Sequence, residues 1–334
     1  IGEASKLGKI RVVDKAISKK NPIKPARRIN MIIGLVIGVF TGCCSAILLE
    51  YFDNKIKSIE QIERRGLPVL AIIPAIGSTL NKKRNKLKKY VSTDSSIIKL
   101  QRRLITDEDP KSPISEAYRS LRTSLMYSKN KNDKSNVILV SSSGPGEGKT
   151  TTIANLAITY ANLGRKTLLV DTDLRKPVLH NVFKIDKNLG LTNFLSDIIP
   201  LKNIIKKTKI NNLDVVTSGI IPPNPSELLS SNKMNDFVNS VSNDYDVILF
   251  DSPPLIAVTD PYVLLKYVQQ FVLVIRAGVT ERGALERVLT AVKQSDLDLS
   301  GVVMNAVTEQ HTYGAGYYYN YYQYYYDDKE NNQN

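Results

Sequence analysis

The stretch VILVSSSGPGEGKT, residues 137–150, decides the fold class of this chain. Its four consecutive aliphatic residues predict a strand buried on both faces, and the glycine-rich turn after them leads into a helix beginning at Lys149. Glycines let backbone N–H groups close around phosphate oxygens, and a helix N-terminus adds partial positive charge. Ser143 stands where the strict phosphate-loop pattern has its first glycine, and a glycine-rich turn can also simply cap a strand. The order of strand, GKT and helix nevertheless predicts a phosphate-binding loop, or P-loop.

A P-loop implies particular contacts to a nucleotide. Lys149 is placed to reach the β and γ phosphates, and Thr150 is placed to ligate Mg²⁺. ATP and Mg²⁺ are therefore the expected cofactors. The residues expected to contact the nucleotide are Gly144, Gly146, Glu147, Gly148, Lys149, Thr150 and Thr151.

Two other apolar runs end in carboxylates. TLLVDTD, residues 167–173, contains Asp171 and Asp173, and DVILFDS, residues 246–252, contains Asp251. Because ligands bind at the carboxyl ends of parallel strands, these side chains are expected at the same edge of the sheet as the P-loop. A single Asp after a strand is commonly a helix cap or turn former, but three carboxylates at one edge repel one another unless a cation offsets the repulsion. The set therefore supports a site for an Mg²⁺-bound nucleotide.

From residue 112 onward the chain alternates apolar runs with amphipathic segments. A helix is expected to open with either Ser112 or Ser115 as its N-cap. The alternation predicts an α/β protein, and with the P-loop it predicts a P-loop NTPase fold with a doubly wound, mainly parallel sheet. Strands are expected at 137–142, 167–173, 213–218, 246–252, 271–276 and 301–305, and helices from 149 and near 226–241, 260–268 and 281–295.

Upstream, residues 29–49 read INMIIGLVIGVFTGCCSAILL, which is 21 residues without a charge. At ~1.5 Å rise per residue this length matches the ~30 Å hydrocarbon core of a bilayer, so one transmembrane helix is expected before the α/β domain. The alternative is a buried core helix, although such helices rarely remain uncharged over this length. Cys43 and Cys44 are the only cysteines and lie inside the run, which excludes a disulfide framework.

The net charge of +14 is concentrated in two stretches of the chain. Residues 1–28 carry nine Lys and Arg against two acids, and residues 81–103 carry nine against Asp94 alone. Such runs suit either an anionic membrane surface or a solvated linker. Residues 104–334 are close to neutral, so the α/β part is not expected to bind nucleic acid. With only His180 and His311 in the chain, the chemistry is expected to rest on Lys, Asp and backbone groups.

The end of the chain is rich in tyrosine. Nine of its 17 tyrosines lie within 14 residues, interleaved with Gly and Asn and almost without aliphatic residues, so no core could use them. The segment is either a sticky low-complexity tail or, given an ATP site in the same chain, a set of phosphoacceptors. These tyrosines are Tyr313, Tyr317, Tyr318, Tyr319, Tyr321, Tyr322, Tyr324, Tyr325 and Tyr326.

Four motifs together resemble the bacterial tyrosine kinases of capsule and exopolysaccharide synthesis, of the Wzc and CapB type. LLVDTDLRKP resembles their second Walker motif, and VILFDSPP resembles their Walker B motif. KSPISEAYRSLRTSL resembles their E-x-x-R-x-x-R interface helix, which places Glu116, Arg119 and Arg122 on it. The tyrosine cluster resembles their autophosphorylation tail. Related partition ATPases have a signature Lys in KGGxGKT, where this chain has Gly144 and Pro145, and this difference favours the kinases.

The resemblance implies an ATP-dependent protein-tyrosine kinase that phosphorylates its own tail and regulates polysaccharide polymerisation and export. It implies that Lys149, Asp171, Asp173 and Asp251 are catalytic, with Asp171 as the base for the tyrosine hydroxyl. It also implies that Thr150, Asp173 and Asp251 ligate Mg²⁺ directly or through water. The expected partners are further copies of the chain in a ring held by the E-x-x-R-x-x-R helix, the membrane, the polysaccharide export machinery and a cognate tyrosine phosphatase.

The front of the chain resembles the end of the same family's chain-length regulator. The positive-inside count around the apolar run mildly favours a cytoplasmic N-terminus, but ATP is cytosolic, so the opposite orientation is expected. The chain begins at Ile1 without Met, so it is expected to be a fragment. The expected organisation is an extracytoplasmic juxtamembrane segment (1–28), a transmembrane helix (29–49), a cytoplasmic activator segment and linker (50–110), a kinase domain (111–308) and a tyrosine-rich tail (309–334).

Two other functions fit the same residues. One is a membrane-bound scaffold in which ATP binding only switches assembly and the tyrosines are adhesive contacts. The other is a partition-type ATPase. Both predict that MgATP produces no phosphotyrosine, which separates them from the kinase.

Overall fold

Two compact units make up the chain, Ile1–Asp53 and Asn54–Asn334, and each is described by itself. The structure is a computed structural model that describes residues 27–75, 104–128, 136–294 and 298–308. The first 26 residues, most of the Lys-rich linker and the tail, with all nine tyrosines predicted to be phosphoacceptors, lie outside the described residues.

The first unit contains one long helix, Arg27–Tyr51, of 25 residues. It includes the whole apolar run at 29–49. Its most apolar window has a mean hydropathy of 2.5 and is not buried. Among the described residues, this is the one helix long and apolar enough to cross a membrane.

The second unit contains eight strands, which are β1 Val69–Pro74, β2 Asn136–Ser142, β3 Thr167–Asp171, β4 Ile205–Lys207, β5 Leu213–Val216, β6 Val247–Asp251, β7 Gln270–Arg276 and β8 Gly301–Val307. They form a single sheet in the order β1-β8-β7-β2-β6-β3-β5-β4. Every neighbouring pair is parallel except β4 and β5. The predicted mainly parallel sheet is therefore confirmed, and β4 is an antiparallel edge strand that the sequence analysis did not predict.

Helices cover both faces of this sheet. Because both faces are buried, neighbouring residues of one strand enter opposite cores, as Leu139 and Val140 do in β2. Phe237 packs into the core with Leu139, and Tyr118 packs into the core with Val140. The helices are Glu60–Glu63, Ile105–Glu108, Pro113–Tyr127, Lys149–Asn162, Leu179–Phe183, Leu191–Leu195, Leu201–Ile204, Pro225–Ser230, Asn232–Asp244, Asp260–Leu264 and Arg282–Val292, with a 3-10 turn at Leu265–Tyr267.

Two helices differ from their predicted ranges, and the N-cap of a third helix is now identified. The helix expected near 226–241 is two helices, because the chain is extended at Ser231, with φ −66° and ψ 158°. The helix expected near 260–268 is α-helical only to Leu264 and then tightens into the 3-10 turn. Ser112, rather than Ser115, is an N-cap, because its Oγ accepts a hydrogen bond of 3.2 Å from the Ser115 N–H.

Residues 54–75 belong to the same compact unit as the P-loop. β1 adds to the sheet beside β8, and Ala71 and Ile73 enter the core on one face. Alternate apolar residues of this kind need a covered face, and the sheet provides it. β1 and the P-loop therefore lie in one compact unit, and the domain boundaries given in the sequence analysis stay predictions.

Candidate nucleotide-binding site

The P-loop and the two acidic strand ends meet at one edge of the sheet. β2 leads into the P-loop and pairs with β6, and β6 pairs with β3. The register aligns Val140 with Asp251, and Asp251 with Asp171. Parallel strands end at the same edge, so this pairing alone brings the acidic residues to the P-loop.

Lys149 forms ion pairs with two of the predicted carboxylates. Its Nζ lies 3.1 Å from Asp173 Oδ2 and 3.6 Å from Asp251 Oδ1. Burial by itself would lower the pKa of Lys149, but the charges of Asp251 and Asp173 raise it above its ordinary value. The ammonium group therefore stays charged and is available to a polyphosphate that competes with the carboxylates.

Asp251 is the more deeply buried of the two carboxylates that form ion pairs with Lys149. Its side chain is 1% exposed, and Thr150 Oγ1 donates a hydrogen bond of 2.7 Å to its Oδ2. Its Oδ1 has no hydrogen-bond donor within the described part of the chain. Burial, together with the nearby charge of Asp173, raises the pKa of Asp251 above its ordinary value. A buried carboxylate oxygen without a donor, next to a threonine hydroxyl, is a position that a hydrated cation would satisfy.

These donors fit Mg²⁺ in combination with a nucleotide. Mg²⁺ usually keeps several waters and takes one or two carboxylates together with substrate phosphates. Across the described ranges, no group of three or more His, Cys, Asp and Glu is arranged to hold a metal by itself. Thr150, Asp251 and, through water, Asp173 would therefore hold the ion with the phosphates.

Asp171, the residue predicted to be the base for the tyrosine hydroxyl, accepts hydrogen bonds on both of its carboxylate oxygens. Its Oδ2 accepts hydrogen bonds from the N–H groups of Val178, at 3.2 Å, and Leu179, at 3.1 Å. Its Oδ1 accepts from the Asp173 N–H at 3.2 Å, and the residue is fully buried. Burial, followed by the charge of Asp251, raises the pKa of Asp171 well above its ordinary value. In this conformation Asp171 holds the loop of residues 172–179, and its role as a base stays a prediction.

Asp173 connects the P-loop lysine to the same loop. Its Oδ2 contacts Lys149, and its Oδ1 accepts hydrogen bonds from the N–H groups of Arg175 and Lys176, at 3.3 and 2.9 Å. Arg175 in turn forms two hydrogen bonds, of 2.8 and 3.0 Å, to the fully buried carboxylate of Asp260. Burial would raise the pKa of Asp260, but the hydrogen bonds from Arg175 and Ser226 lower it. Arg175 therefore anchors the loop that positions Asp173.

Glu147 lies within the P-loop, but its side chain is not directed to a ligand. Its carboxylate is 4% exposed and accepts hydrogen bonds from Ser143 Oγ, at 2.7 and 2.9 Å, and from Thr280 Oγ1, at 2.6 Å. Burial raises the pKa of Glu147, while these hydrogen bonds act in the opposite direction. Glu147 was predicted to contact the nucleotide, and in this arrangement only its main chain is available for that contact.

Side chains from β7 and β8 form hydrogen bonds to the main chain of the P-loop, and these two strands are its supporting side. Arg276, at the end of β7, donates a hydrogen bond of 3.1 Å to the Gly146 carbonyl, and Asn305 of β8 donates one of 2.8 Å to the Glu147 carbonyl. Gly148 has φ +101°, and a Cβ there would lie 2.0 Å from Asn305 Nδ2. Glycine is therefore required at this position for both backbone conformation and space.

Sequence reasoning missed Arg276, Thr280 and Asn305. Their positions in the sequence could have indicated them. Each residue ends or follows an apolar run, and the carboxyl end of such a strand lies at the same edge of the sheet as the P-loop. Ala306 also has a left-handed φ of 56°, at a point where the register between β1 and β8 shifts. Such a bulge redirects a side chain, here that of Asn305 toward the P-loop.

The predicted interface helix, Pro113–Tyr127, exposes two of its three motif residues. Glu116 and Arg119 form an ion pair with each other, with side chains 53% and 36% exposed. Arg122 is used within the chain, because its Nη1 donates a hydrogen bond of 2.8 Å to the Thr159 carbonyl of the P-loop helix. Tyr118 is fully buried, so it is not accessible as a phosphoacceptor in this fold.

Models of two known domains match this chain. The model of an AAA domain matches residues 135–297, and the model of the GNVR G-rich domain of tyrosine kinases matches residues 1–51. The first match covers the P-loop and the acidic strand ends, and the second includes the long apolar helix.

Proteins of known name match over longer stretches. The tyrosine-protein kinase etk of Escherichia coli strain K12 is 29% identical over 331 residues, which cover 99% of this chain and 45% of that protein. The tyrosine-protein kinase YwqD of Bacillus subtilis strain 168 is 39% identical over 221 residues, covering 66% of this chain and 92% of that protein. The solved kinase domain of the Escherichia coli tyrosine kinase ETK superposes with a TM-score of 0.65 at 29% identity, covering 75% of this chain and 94% of that domain. The chain thus spans about 45% of the length of etk.

Proposed function

The chain belongs to the bacterial tyrosine-protein kinases, and from this premise we propose that it transfers the γ-phosphoryl group of ATP to tyrosines of its own C-terminal tail. The observation that carries the proposal is the grouping of Lys149, Thr150, Asp173 and Asp251 at the P-loop of a chain that ends in nine clustered tyrosines. The names of the relatives etk and YwqD support the same reaction.

Nucleotide binding begins with the main chain of the P-loop. Its N–H groups and the N-terminus of the helix that starts at Lys149 hold the phosphates, and Lys149 exchanges its carboxylate partners for the β and γ phosphates. Thr150 and Asp251 would hold the Mg²⁺ that binds with the nucleotide, and the ion would supply positive charge to the phosphates. Departure of the lysine leaves Asp173 and Asp251 without their cation, which favours binding of the metal with the nucleotide.

In the transfer step the tyrosine oxygen forms a bond to the γ phosphorus. The bond from that phosphorus to the bridging oxygen breaks, and ADP leaves with the electron pair. The phenolic proton passes to Asp171, whose pKa is raised by burial and therefore suits a base. The loop of residues 172–179 has to release one of the two Asp171 oxygens before the hydroxyl can approach it.

The acceptor tyrosines belong to a neighbouring copy in a ring. Glu116 and Arg119 present an exposed charged pair for that contact, and heterologous contacts between identical subunits can close into a ring. Each phosphotyrosine adds about −1.5 to −2 charges, so several of them on one tail repel the acidic edge and one another and release the subunits. Assembly and phosphorylation then alternate.

The long helix Arg27–Tyr51 anchors the kinase in the cell membrane, with the P-loop unit in the cytoplasm. Its length of 25 residues is sufficient for one crossing. The cellular role proposed is regulation of capsular or exopolysaccharide polymerisation and export, together with the export machinery and a tyrosine phosphatase. This part rests on the resemblance of the motifs to the Wzc and CapB type.

The purified chain incubated with MgATP tests the reaction. We expect phosphotyrosine on the chain itself, no phosphotyrosine with Lys149→Met, and none on a chain truncated after Thr312. Release of phosphate without tail modification favours a partition-type ATPase. Nucleotide binding without either product favours a scaffold.

A mixing experiment tests transfer between copies. The Lys149→Met chain has a tail but no competent site, and the truncated chain has a site but no tail. Phosphotyrosine on the Lys149→Met chain in the mixture demonstrates transfer in trans. Absence of phosphotyrosine from the Lys149→Met chain in this mixture, under conditions in which the parent chain modifies itself, rejects the ring and favours reaction within one chain.

A further inference from the structure

Four exposed apolar side chains lie on the segments of chain that follow β3, β5 and β6. The described part of the second unit has nine large apolar side chains that are exposed, and these four are between 41% and 64% exposed. They are Leu189, Ile220, Ile221 and Ile256, and together they are called the apolar rim. Exposed apolar surface that is gathered in one place marks a site for another molecule.

Tight packing joins the segments that carry Leu189 and Ile220. The Leu189 carbonyl accepts a hydrogen bond of 3.2 Å from Thr217 Oγ1. A Cβ on Gly190 would lie 2.3 Å from the Gly219 nitrogen, so the two main chains are in direct contact. Leu189 and Ile220, each next to one of these glycines, therefore lie on adjoining stretches of main chain.

A buried carboxylate joins the loop that carries Ile256 to the loop that carries Ile220. Asp260 is fully buried, and its Oδ1 accepts a hydrogen bond from Ser226 Oγ. Arg175, from the loop after β3, donates two further hydrogen bonds to the same carboxylate. The loops after β3, β5 and β6 are thereby held against one another at one edge of the sheet.

The apolar rim borders the part of the site where the γ phosphate is expected. Ile256 follows Asp251 by five residues, and its N–H donates a hydrogen bond of 3.3 Å to the carbonyl of Ser143, which directly precedes the P-loop glycines. Asp171, the proposed base, ends β3, which lies between β6 and β5 in the sheet. An acceptor whose hydroxyl reaches Asp171 therefore has the apolar rim beside it.

We propose that the apolar rim is the docking surface for the aromatic rings of the acceptor segment, residues 313–326 of a copy of this chain, and that it favours tyrosine as the acceptor. The inference deepens the proposed function and rests on it for the group that is transferred. Its basis is the placement of four exposed aliphatic side chains, on loops fixed to one another, beside Asp171 and the P-loop.

The composition of residues 313–326 fits this surface. Nine of these 14 residues are tyrosines, and none is charged. A tyrosine has a large apolar ring with a polar tip, so several rings can pack on aliphatic side chains while one hydroxyl enters the site. An uncharged segment also approaches an edge that carries three carboxylates without the repulsion that an acidic segment would meet.

The acceptor segment is also long enough to reach the apolar rim. It follows β8, which ends at Val307 and, like the other parallel strands, at the P-loop edge. β8 and β5 are five strand spacings of about 4.8 Å apart, or about 24 Å. At up to ~3.5 Å per residue, the chain from Val307 to Tyr317 can span this distance. The tyrosines from Tyr317 onward are therefore within reach of the rim across a sheet of this width.

The surface favours tyrosine over serine or threonine for a physical reason. Contact between the rim and a ring removes apolar surface from water, and a short hydroxyl side chain has no such surface to bury. This contact is present before and during the transfer alike. Its loss should therefore raise the KM for the acceptor and leave kcat almost unchanged.

Binding of the acceptor in the absence of a transferable phosphate measures docking directly. The probe is a fluorescein-labelled peptide of residues 313–326, added to the full chain in lipid nanodiscs with saturating MgADP. We expect the double variant Ile220→Ser, Ile221→Ser to weaken binding of this peptide by about tenfold in fluorescence anisotropy. The double variant Ile220→Val, Ile221→Val keeps the apolar surface and should bind within about twofold of the parent chain. Equal affinity of the Ser and Val double variants overturns the inference.

Leu163→Ser is the matched control. Leu163 is 46% exposed but follows the far end of the 14-residue helix that begins at Lys149, ~21 Å from the P-loop. This variant should bind the peptide as the parent does. All of these variants should keep the Tm and the MgADP affinity of the parent, because the changed side chains are exposed. Equal loss of peptide binding in Leu163→Ser and in the Ser double variant indicates adhesion to any apolar surface and rejects the rim.

Steady-state kinetics with the same peptide and MgATP separate docking from chemistry. The Ser double variant should raise the KM for the peptide by about tenfold and keep kcat within about twofold. Ile256→Ser should change the two constants in the same directions. A fall in kcat with an unchanged KM means that these residues maintain the structure of the site, and it rejects their role in docking.

The outcomes distinguish this inference from the proposed function. A peptide that binds at the rim but receives no phosphate from MgATP contradicts the proposed function and leaves the docking surface intact. A peptide that the parent and the Ser double variant phosphorylate with the same KM leaves the proposed function intact and overturns the rim. Loss of rings in light scattering with unchanged peptide binding assigns the rim to a contact between subunits and also overturns the inference.

Discussion

The buried carboxylates on the two sides of the P-loop differ in what satisfies them. On the side of the strand ends, Asp251 Oδ1 has no hydrogen-bond donor among the described residues. On the supporting side, Glu147 accepts hydrogen bonds from Ser143 and Thr280, and at the strand end next to Asp251, Asp171 accepts from three backbone N–H groups. All three are buried acids at one edge of a sheet. The difference teaches that a carboxylate with satisfied oxygens holds the fold, whereas one with an unsatisfied oxygen is available to a ligand.

The two classes have opposite energetics. A buried acceptor without a donor costs about 1–3 kcal/mol, and such a cost persists where ligand binding offsets it. A buried carboxylate whose oxygens accept hydrogen bonds avoids the cost of an unpaired acceptor, although burial still raises its pKa, and its removal leaves donors unpaired. Substitutions in the two classes should therefore differ in their effect on stability.

Loss of the P-loop lysine should have the largest effect. Lys149→Met removes the cation that contacts Asp173 and Asp251 and later the phosphates, so the rate of tail phosphorylation should fall by about 1,000-fold or more. Lys166→Met removes one charge at the opposite edge of the sheet and serves as the control. Phosphotyrosine formed at the control's rate by Lys149→Met would falsify the assignment of the site.

A pair of Asn substitutions tests the comparison directly. Asp251→Asn should lower the phosphorylation rate by about 100-fold, since it removes a charged ligand position, and should leave the Tm unchanged or higher. Asp171→Asn should lower the Tm clearly. The Asp171 carboxylate accepts three backbone N–H groups with two oxygens, whereas the amide of Asn has only one acceptor oxygen. Thermal melts distinguish the two variants, whereas phosphotyrosine blots should show a loss in both, because Asp171 is the proposed base. A similar loss of Tm in both variants contradicts the comparison.

A glycine substitution examines the supporting side. Gly148→Ala places a Cβ in contact with Asn305 and strains a residue at φ +101°, so MgADP affinity should fall by about tenfold or more. Asn305→Ala in the same chain relieves the clash but not the backbone strain, and should restore affinity only in part. Full restoration would mean that the left-handed conformation contributes nothing.

The pH dependence of stability gives a smaller effect with a definite sign. Burial raises the pKa of Asp251 above its ordinary 3.8, so its stabilising contribution is complete below that value and is lost as the pH rises through the folded pKa. The free energy of unfolding of the nucleotide-free chain should therefore decline less with rising pH in Asp251→Asn than in the parent. Urea midpoints measured from about pH 5 to pH 8 check this, and identical slopes would contradict it.

Charge reversal at the exposed pair should have the smallest effect on the fold. Arg119→Glu breaks a surface ion pair, so the free energy of unfolding should change by less than about 1 kcal/mol. Light scattering should nevertheless show loss of rings and of phosphorylation in trans. Rings that persist in Arg119→Glu show that the interface assignment is wrong.

Much of this edge could be predicted because it depends on sequence order alone. A P-loop after a buried strand, and Asp171 and Asp251 at the ends of two more strands, suffice to place these groups together once the sheet is parallel. The roles of Glu147 and Asp171 could not be predicted in the same way. Their orientation depends on donors such as Thr280, which is far away in sequence and follows no motif.

The sequence by itself determined the α/β sheet, the long apolar helix, the P-loop and the tyrosine-rich end, because each follows from local periodicity, charge or glycine content. Tertiary structure alone decided which of the buried acids keeps an oxygen without a hydrogen-bond donor, that residues 69–74 pair with β8, and that Arg122 bonds within the chain. The physical reason is that burial and hydrogen bonding of a polar group depend on its neighbours in space, and these come from distant segments of the chain.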